Sequence, residues 1–298
     1  ALLGFSPLKH KCEACALATI KKKPYSRLRI PKVPKRAYKF GIDILPMSVP
    51  SRSSGYTSLL VAICYHTHRI FIHPMKAKSD APEALRSLLD QIKVDLEPHE
   101  IAMSRLRGDS DPNFFDTAFQ KVCNDEDFPI RFSASAPGDQ WQNGLVEITN
   151  GLLKDKVVTC LVTANRSPDL WLAAARWCVY THTRLPCQAN LGNMSPYEAW
   201  HHTKPCISHL RGWGCDAVVK DLKHTNLTPK GRKGTFLAYS SVCSPGTYSV
   251  LMHDSGRIVQ SRNVEFLEFQ LYPDFTPKLT PLSTAKALDT ASDIIGSD

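Results

Sequence analysis

Three acidic side chains stand where they could together act on a phosphodiester. Asp43 lies inside an apolar segment, where a carboxylate is costly unless it is paired or bound to a metal. Asp109 directly follows a predicted strand, and Glu147 lies in the first turn of a predicted long helix. Taken singly, Asp109 and Glu147 also fit ordinary turn and helix-dipole roles. Carboxylates at a strand centre, a strand end and a flanking helix can converge, and together they predict a site for two divalent cations.

The elements that must position these acids follow an α/β pattern. Five strand-like segments rich in Ile, Val, Phe and Tyr are predicted at 38–45, 58–65, 69–74, 101–106 and 130–133. Four helices with apolar stripes are predicted at about 80–92, 111–122, 144–164 and 168–182. In the second helix, Asp111 is the predicted N-cap, and Phe115 and Ala118 belong to the predicted core face.

The sequence pattern changes at about residue 210. Short strands between Gly, Pro and Ser turns are predicted at 217–220, 234–240, 248–253 and 258–266. We therefore predict four regions: a basic segment at 1–38, an α/β core at 39–205, a small β-module at 206–271 and a disordered tail at 272–298.

Charge is concentrated at one end of this 298-residue chain, whose formal net charge is +9. Residues 1–39 contain eleven basic side chains and one acidic side chain, so the rest is close to neutral. Such an arm favours contact with a polyanion. No apolar run approaches the roughly 18 residues of a membrane helix, so no membrane partner is expected. The chain begins with Ala1 and carries no signal pattern, so we expect it to be a processed piece of a longer polyprotein.

Two of the acids lie within longer motifs. Residues 106–114 read LRGDSDPNF, residues 135–150 read SAPGDQWQNGLVEITN, and 37 residues separate the two acids. These segments resemble the patterns LRxDNGGEF and, without a gap, SAPxxPQQNGVAERxN of copia-type LTR-retrotransposon integrases, within the retroviral integrase superfamily. Further similar segments are SPYEAW at 195–200, HLRGWGC at 209–215, KGTFLAYS at 233–240 and SRNVEF at 261–266.

The resemblance implies an RNase H-like core with a mixed five-stranded sheet and flanking helices, followed by the small β-module. It also implies a polynucleotidyl transferase whose acidic triad is Asp43, Asp109 and Glu147, with Mg²⁺ or Mn²⁺ as cofactor. Asp43 would bridge both ions, and each of the other two acids would hold one. The implied reactions are 3′-end processing of element DNA and its strand transfer into target DNA. The implied setting is a homo-oligomer in a cytoplasmic particle and the nucleus.

A pair of thiols near the start of the chain could bind zinc. Cys12 and Cys15 have the two-residue spacing that lets both reach one ion. The resemblance implies two upstream histidines that would complete the site in a longer parent, and His10 does not have the matching spacing. The alternative is two reduced surface cysteines, which would suit the reducing compartment that the scattered apolar cysteines indicate.

Nucleic-acid contacts are predicted at two places. Lys21, Lys22 and Lys23 form a basic cluster suited to non-specific phosphate contact, or alternatively to a solvated linker or a nuclear-import signal. Near the acids, the candidates are Asn143, Asn150 and Lys154, of which Lys154 also fits an ordinary exposed helix lysine.

Two alternatives to an active integrase remain. One is a related RNase H-like nuclease or transposase, which would cleave DNA without joining it. The other is a catalytically degenerate nucleic-acid-binding remnant, because residues beside the acids depart from the family pattern. These departures are Ser110–Asn113 after Asp109, Ile148 after Glu147, and Leu45–Pro46 after Asp43.

Overall fold

The computed structural model of the chain has an α/β core followed by a second, all-antiparallel sheet. The structure describes residues 38–94, 96, 103–109, 111–125, 129–134, 144–221, 227–240 and 246–268. The predicted zinc-binding segment up to residue 37 and the predicted tail lie outside these residues.

Three consecutive strands start the first sheet. They are β1 (Lys39–Pro46), β2 (Ser58–Cys64) and β3 (Ile70–Met75), paired antiparallel with their neighbours. Every residue of β2 is buried, so its SLLVAIC sequence has apolar material on both faces. This strand therefore requires helices on both sides of the sheet.

Two parallel strands complete that sheet. β4 (Arg105–Gly108) pairs with β1, and β5 (Arg131–Ala134) pairs with β4, which gives the order β3-β2-β1-β4-β5. The predicted mixed five-stranded sheet with flanking helices is confirmed. Among the described residues the fourth strand runs from Arg105 to Gly108, so its predicted end at residue 106 is two residues too early, and Asp109 follows the strand directly. Residues 101 and 102 of the predicted strand lie outside the described part of the chain.

Different helices cover the two faces of this sheet. On one face, α1 (Ala81–Val94) and α2 (Thr117–Asn124) pack over a core that includes Phe40 and Leu106. On the other face, α3 (Gly144–Thr163) and α4 (Trp171–Arg184) pack over β1, β2 and β3. A short helix, α5 (Pro196–His201), follows α4 and adds Trp200 to the first core.

The helix predicted from Asp111 is wrong in its first turns. Asp111 does cap, but it caps only a 3-10 turn, Pro112–Phe114, and α2 starts at Thr117. Extended backbone at Asp116 separates the turn from the helix and changes which residues face inward. Phe114 is fully buried, whereas Phe115 is 53% exposed and Ala118 is exposed as well.

The second sheet contains five antiparallel strands: β6 (Asp216–Lys220), β7 (Gly231–Tyr239), β8 (Tyr248–Met252), β9 (Ile258–Ser261) and β10 (Val264–Leu267). Their order in the sheet is β10-β6-β7-β8-β9. The single strand predicted over 258–266 is wrong, because a turn in which the Ser261 hydroxyl accepts a hydrogen bond from Asn263 N (3.2 Å) divides it. Only residues 262 and 263 connect β9 to β10, and these two strands lie at opposite edges of the sheet. The sheet must therefore curl until the two edges approach each other.

The β-module packs against α4 rather than standing apart from the core. Leu237 and Leu251 are buried in the same hydrophobic cluster as the helices on that face. The ring of Tyr180 stacks on that of Tyr239 at a centroid distance of 4.2 Å, and Trp177 Nε1 donates to the carbonyl of Arg211 at 3.0 Å. Across the described residues, no helix combines the length and apolar character that crossing a membrane requires.

Candidate active site

Asp43 occupies the middle of β1 and points toward α3. Side chains alternate along a strand, so Ile42 and Ile44 enter the core under α1 while Asp43 faces the opposite side. Its Oδ1 accepts a hydrogen bond from the Ile44 backbone N–H, and its Oδ2 accepts one from Asn150 Nδ2, both at 2.8 Å. The carboxylate is thereby held in one orientation.

A glycine in β1 lets α3 come close to this carboxylate. A Cβ on Gly41 would lie 3.4 Å from both the Val146 Cβ and the ring of Tyr65. Because the first turn of α3 packs here through Val146, Glu147 and Asn150 are brought to the Asp43 side of the sheet. Glu147 is exposed, whereas Asn150 is only 7% exposed.

Asp109 joins the same region from the end of β4. Its Oδ1 accepts a hydrogen bond from the backbone N–H of Asp111 at 3.0 Å, which fixes the turn after the strand. The pKa of Asp43 is raised to about 6, first by burial and then by the charges of Asp109 and Glu147, against the opposing effect of the hydrogen bonds from Ile44 and Asn150. All three predicted acids are therefore near enough to interact electrostatically.

The donor chemistry of this region fits a hard divalent cation. Three carboxylates supply the oxygen ligands that Mg²⁺ or Mn²⁺ prefers. In addition, the buried Oδ1 of Asn150 has no hydrogen-bond partner, although the other end of the same amide holds Asp43. Within the described ranges, however, no three His, Cys, Asp or Glu side chains are gathered closely enough to hold an ion. The residue types fit the metal, while their spacing in this structure is wider than a coordination shell.

A lysine that the motifs did not indicate lies beside the acids. Lys78 Nζ is 2.7 Å from Asp111 Oδ2, and its pKa is raised by that hydrogen bond and further by the charges of Asp109 and Asp43. Burial acts to raise the pKa of Asp111, but hydrogen bonds from Lys78 and Asn113 hold it below its ordinary value. Lys78 follows β3, so only the antiparallel pairing of the sheet brings it here, and no local signal could have identified it.

The other predicted site residues fall into three groups. Lys154 is exposed on α3, as a DNA-contacting side chain would be, and its role stays a prediction. Asn150 is buried against Asp43, and this placement favours positioning of the carboxylate over direct contact with DNA. The remaining residues lie outside the described part of the chain: Cys12, Cys15, Lys21, Lys22, Lys23 and Asn143.

Parts of the chain are similar to proteins of retroviruses and transposons. The family model of the retroviral polymerase SH3-like domain matches residues 215–280, which include the curled second sheet. The retrovirus-related Pol polyprotein from transposon TNT 1-94 of Nicotiana tabacum is 26% identical over 171 residues, which cover 57% of this chain. The resemblance to an LTR-retrotransposon integrase is confirmed. The match spans only 12% of the length of the tobacco polyprotein.

Solved integrase structures match this chain at low sequence identity. The HTLV-2 integrase catalytic core domain in complex with magnesium matches with a TM-score of 0.42 and 19% identity, covering 55% of this chain and 97% of that one. A chain of the simian T-cell lymphotropic virus intasome in complex with PP2A regulatory subunit B56 gamma matches with a TM-score of 0.48 and 17% identity, covering 86% and 87% of the two chains.

Proposed function

We propose that the chain is a retrotransposon integrase that performs Mg²⁺-dependent 3′-end processing and strand transfer of element DNA into target DNA. One observation carries this proposal: Asp43, half-buried in the central region of the sheet, is subject to the charges of Asp109 and Glu147. The charges of two nearby carboxylates disfavour the ionisation of Asp43, so the three acids form a region where a cation would be bound favourably.

Asp43, Asp109 and Glu147 would hold the metal, with Mn²⁺ as an alternative to Mg²⁺. When bound, the metal would activate the attacking oxygen, from water in processing and from the new 3′-hydroxyl in strand transfer, and would stabilise the leaving oxygen. The negative charge of the site would repel DNA in the absence of cations, so the chain's own basic groups must bring the substrate close.

Other side chains would position the reacting groups. Asn150 would keep Asp43 oriented through the 2.8 Å hydrogen bond to its Oδ2. Lys78, paired with Asp111, would steady the turn that carries Asp109. Lys154 and the Lys21–Lys23 cluster would contact phosphates. Because two DNA ends must be joined to one target, we propose a homo-oligomer, present in a cytoplasmic particle and then in the nucleus, with zinc bound in a longer parent through Cys12 and Cys15.

The deciding experiment compares strand transfer by the wild-type chain and by Asp109→Asn, with Mg²⁺ and a labelled element-end oligonucleotide. The matched control is Asp90→Asn, which removes one carboxylate from the exposed side of α1. We expect Asp109→Asn to abolish joined product and Asp90→Asn to retain it. Equal joining by wild type and Asp109→Asn would remove this acidic group from the mechanism.

A degenerate nucleic-acid-binding remnant is the second candidate function. It is favoured by the spacing of the acids, because no three ligand-type side chains in the described ranges are gathered around a common ion position. The same assay separates the two: a remnant would bind DNA in a salt-sensitive manner and give no Mg²⁺-dependent product. A related nuclease or transposase would instead release cleaved DNA without joining it.

A further inference from the structure

A group of cations lies on the sheet away from the carboxylates. Lys39 begins β1, Arg105 begins β4 and Arg131 begins β5, and the strand register places these three residues side by side. Arg107 follows two residues after Arg105 and so points in the same direction. We call these four residues the basic face. They line a depression of about 370 Å³ together with Ser133, and no carboxylate is among the described residues that line it.

Among the described residues, the helices leave the β4 and β5 part of the basic face uncovered. Leu106 and Phe132 turn toward the core under α1 and α2, so the alternating residues of β4 and β5 face the side of α3. On that side, α3 and α4 cover β1, β2 and β3, and β5 forms the edge of the sheet. Arg105 and Arg131 are accordingly exposed.

The cations are close enough to affect one another. The pKa of Lys39 is lowered by burial and then by the charges of Arg107 and Arg105. Aromatic rings on the same strand ends hold two of the side chains: Lys39 Nζ lies 4.5 Å from the ring centroid of Tyr65, and the Arg105 guanidinium lies 5.7 Å from that of Tyr38. Like charges held together in this way favour a bound anion.

The basic face and the carboxylates share one surface of the sheet. Lys39, Gly41 and Asp43 point the same way along β1, as do Arg105, Arg107 and Asp109 along the chain of β4. Two residues of a strand span about 7 Å, so Arg107 lies roughly 7 Å, and the row of three cations roughly 13 Å, from the row of acids. An extended polyanion could therefore contact that row and Arg107 and continue toward Asp43, which a small anion could not do.

We propose that the basic face binds the phosphodiester backbone of a nucleic acid and leads it toward the carboxylates. The proposal rests on the proposed function only for the identity of the polyanion. Phosphate contacts of this kind fix the position of a nucleic acid without reading its sequence. The basic face would thus supply, within the folded core, the attraction for DNA that Asp43, Asp109 and Glu147 oppose.

The test is DNA binding by the full chain in the presence of a chelator, so that its outcome does not depend on catalysis. A labelled duplex is titrated by fluorescence anisotropy at several salt concentrations with wild type and with the double variant Arg105→Gln/Arg131→Gln. The matched control is Arg86→Gln/Lys121→Gln, which removes two exposed cations from α1 and α2 on the other side of the sheet. Thermal melts confirm that each variant is folded, and the single variants replace any double variant that is not.

Each phosphate contact contributes about 0.9 to the slope of log K against log salt. We expect the slope to fall by about 1.8 in Arg105→Gln/Arg131→Gln and by about half as much in a single variant. If binding at 1 M salt is unaffected, the larger change corresponds to roughly 30-fold weaker binding at 0.15 M salt. The control should keep the wild-type slope. Identical slopes in the double variant and its control would overturn the proposal. The proposal would also be overturned if the double variant kept the wild-type DNA slope but lost binding to a labelled poly-glutamate peptide, because that result would indicate an acidic protein partner.

Discussion

Replacement of Asp43 by asparagine should reveal how strongly the fold opposes a negative charge at this position. The pKa of Asp43 rises from 3.8 to about 6 in the folded chain, chiefly because the carboxylate is buried and secondarily because Asp109 and Glu147 are nearby. The folded state therefore binds this proton more tightly than the unfolded state does. Between these two pKa values the folded chain carries more protons, so the free energy of unfolding must fall as the pH rises.

The magnitude follows from the same two values. At about 1.4 kcal/mol for each tenfold change in proton affinity, the ionised carboxylate lowers the free energy of unfolding by at most about 3 kcal/mol at neutral pH. The amide side chain of the Asp43→Asn variant would carry no charge and would not show this loss. The oxygen of that amide can still accept the hydrogen bond from the Ile44 backbone N–H, and its nitrogen can donate to the unpaired Asn150 Oδ1 once the Asn150 amide has rotated. These changes add a contribution to the free energy of unfolding that does not depend on pH.

The assay is urea denaturation of wild type and Asp43→Asn between pH 4 and pH 8 in the presence of a chelator. We expect the variant to gain up to about 3 kcal/mol relative to wild type across that interval, most of it between pH 4 and pH 6. The free energy of unfolding of Asp90→Asn, a change at an exposed position of α1, should depend on pH in the same way as that of wild type. Parallel curves for wild type and Asp43→Asn would refute the reasoning, because they would mean that folding does not change the proton affinity of Asp43.

Added Mg²⁺ should stabilise wild type more than it stabilises Asp43→Asn. An ion held by the folded carboxylates at a concentration 100 times its dissociation constant stabilises by about 2.7 kcal/mol. Wild type should gain that stability above pH 6, where Asp43 is ionised, and Asp43→Asn should gain less. An equal response of both proteins would exclude Asp43 as a ligand without affecting the pH result.

Two further expectations concern backbone and thiol chemistry. Gly192 and Gly214 both have positive φ, but only at Gly214 would a Cβ collide with Ala164. In urea denaturation, Gly192→Ala should lower the free energy of unfolding by about 1–2 kcal/mol, and Gly214→Ala should lower it by about 1–3 kcal/mol more. Equal losses would contradict the close approach of Gly214 to Ala164. The Cys160 and Cys178 sulfurs lie 3.8 Å apart, and the hydrogen bond between them lowers the pKa of Cys160 while it and burial raise that of Cys178. Peptide mapping after iodoacetamide treatment at pH 8 should find Cys160 labelled before Cys178, and the reverse order would contradict this assignment.

The place of each of the three acids in the fold could be predicted because it depends on local geometry, whereas their catalytic role stays a prediction. Strand alternation decides which way Asp43 points, the end of a strand decides where Asp109 lies, and the first turn of a helix decides the place of Glu147. The sequence could not predict how close together they lie. That spacing depends on how deeply α3 packs over Gly41, which is a property of the whole core.

Errors in the predicted elements arose where two local signals competed. Asp111 followed by proline is a sound start for a helix, yet it caps a single 3-10 turn, and Phe114 rather than Phe115 fills the core. Likewise, the apolar run at 258–266 is continuous enough for one strand, but its ends pair at opposite edges of a curled sheet. Neither outcome can be read from periodicity alone.

Residues that depend on strand register escaped prediction altogether. Lys78 reaches Asp111 only because β3 runs back along β2, and the four cations of the basic face come from three separate strands. In the sequence they are scattered Lys and Arg residues. Their meaning comes from the parallel pairing of β1, β4 and β5, which sequence motifs did not specify.

The shared hydrophobic cluster beneath the β-module limits how freely the two parts can evolve or be exchanged. Leu237 and Leu251 belong to the same buried hydrophobic cluster as Trp171 and Cys178 of α4. A module transplanted from another protein would have to reproduce that apolar surface before it could contribute any binding specificity of its own. Inheritance of core and module as a single block is therefore favoured by packing, independently of any selection on the reaction.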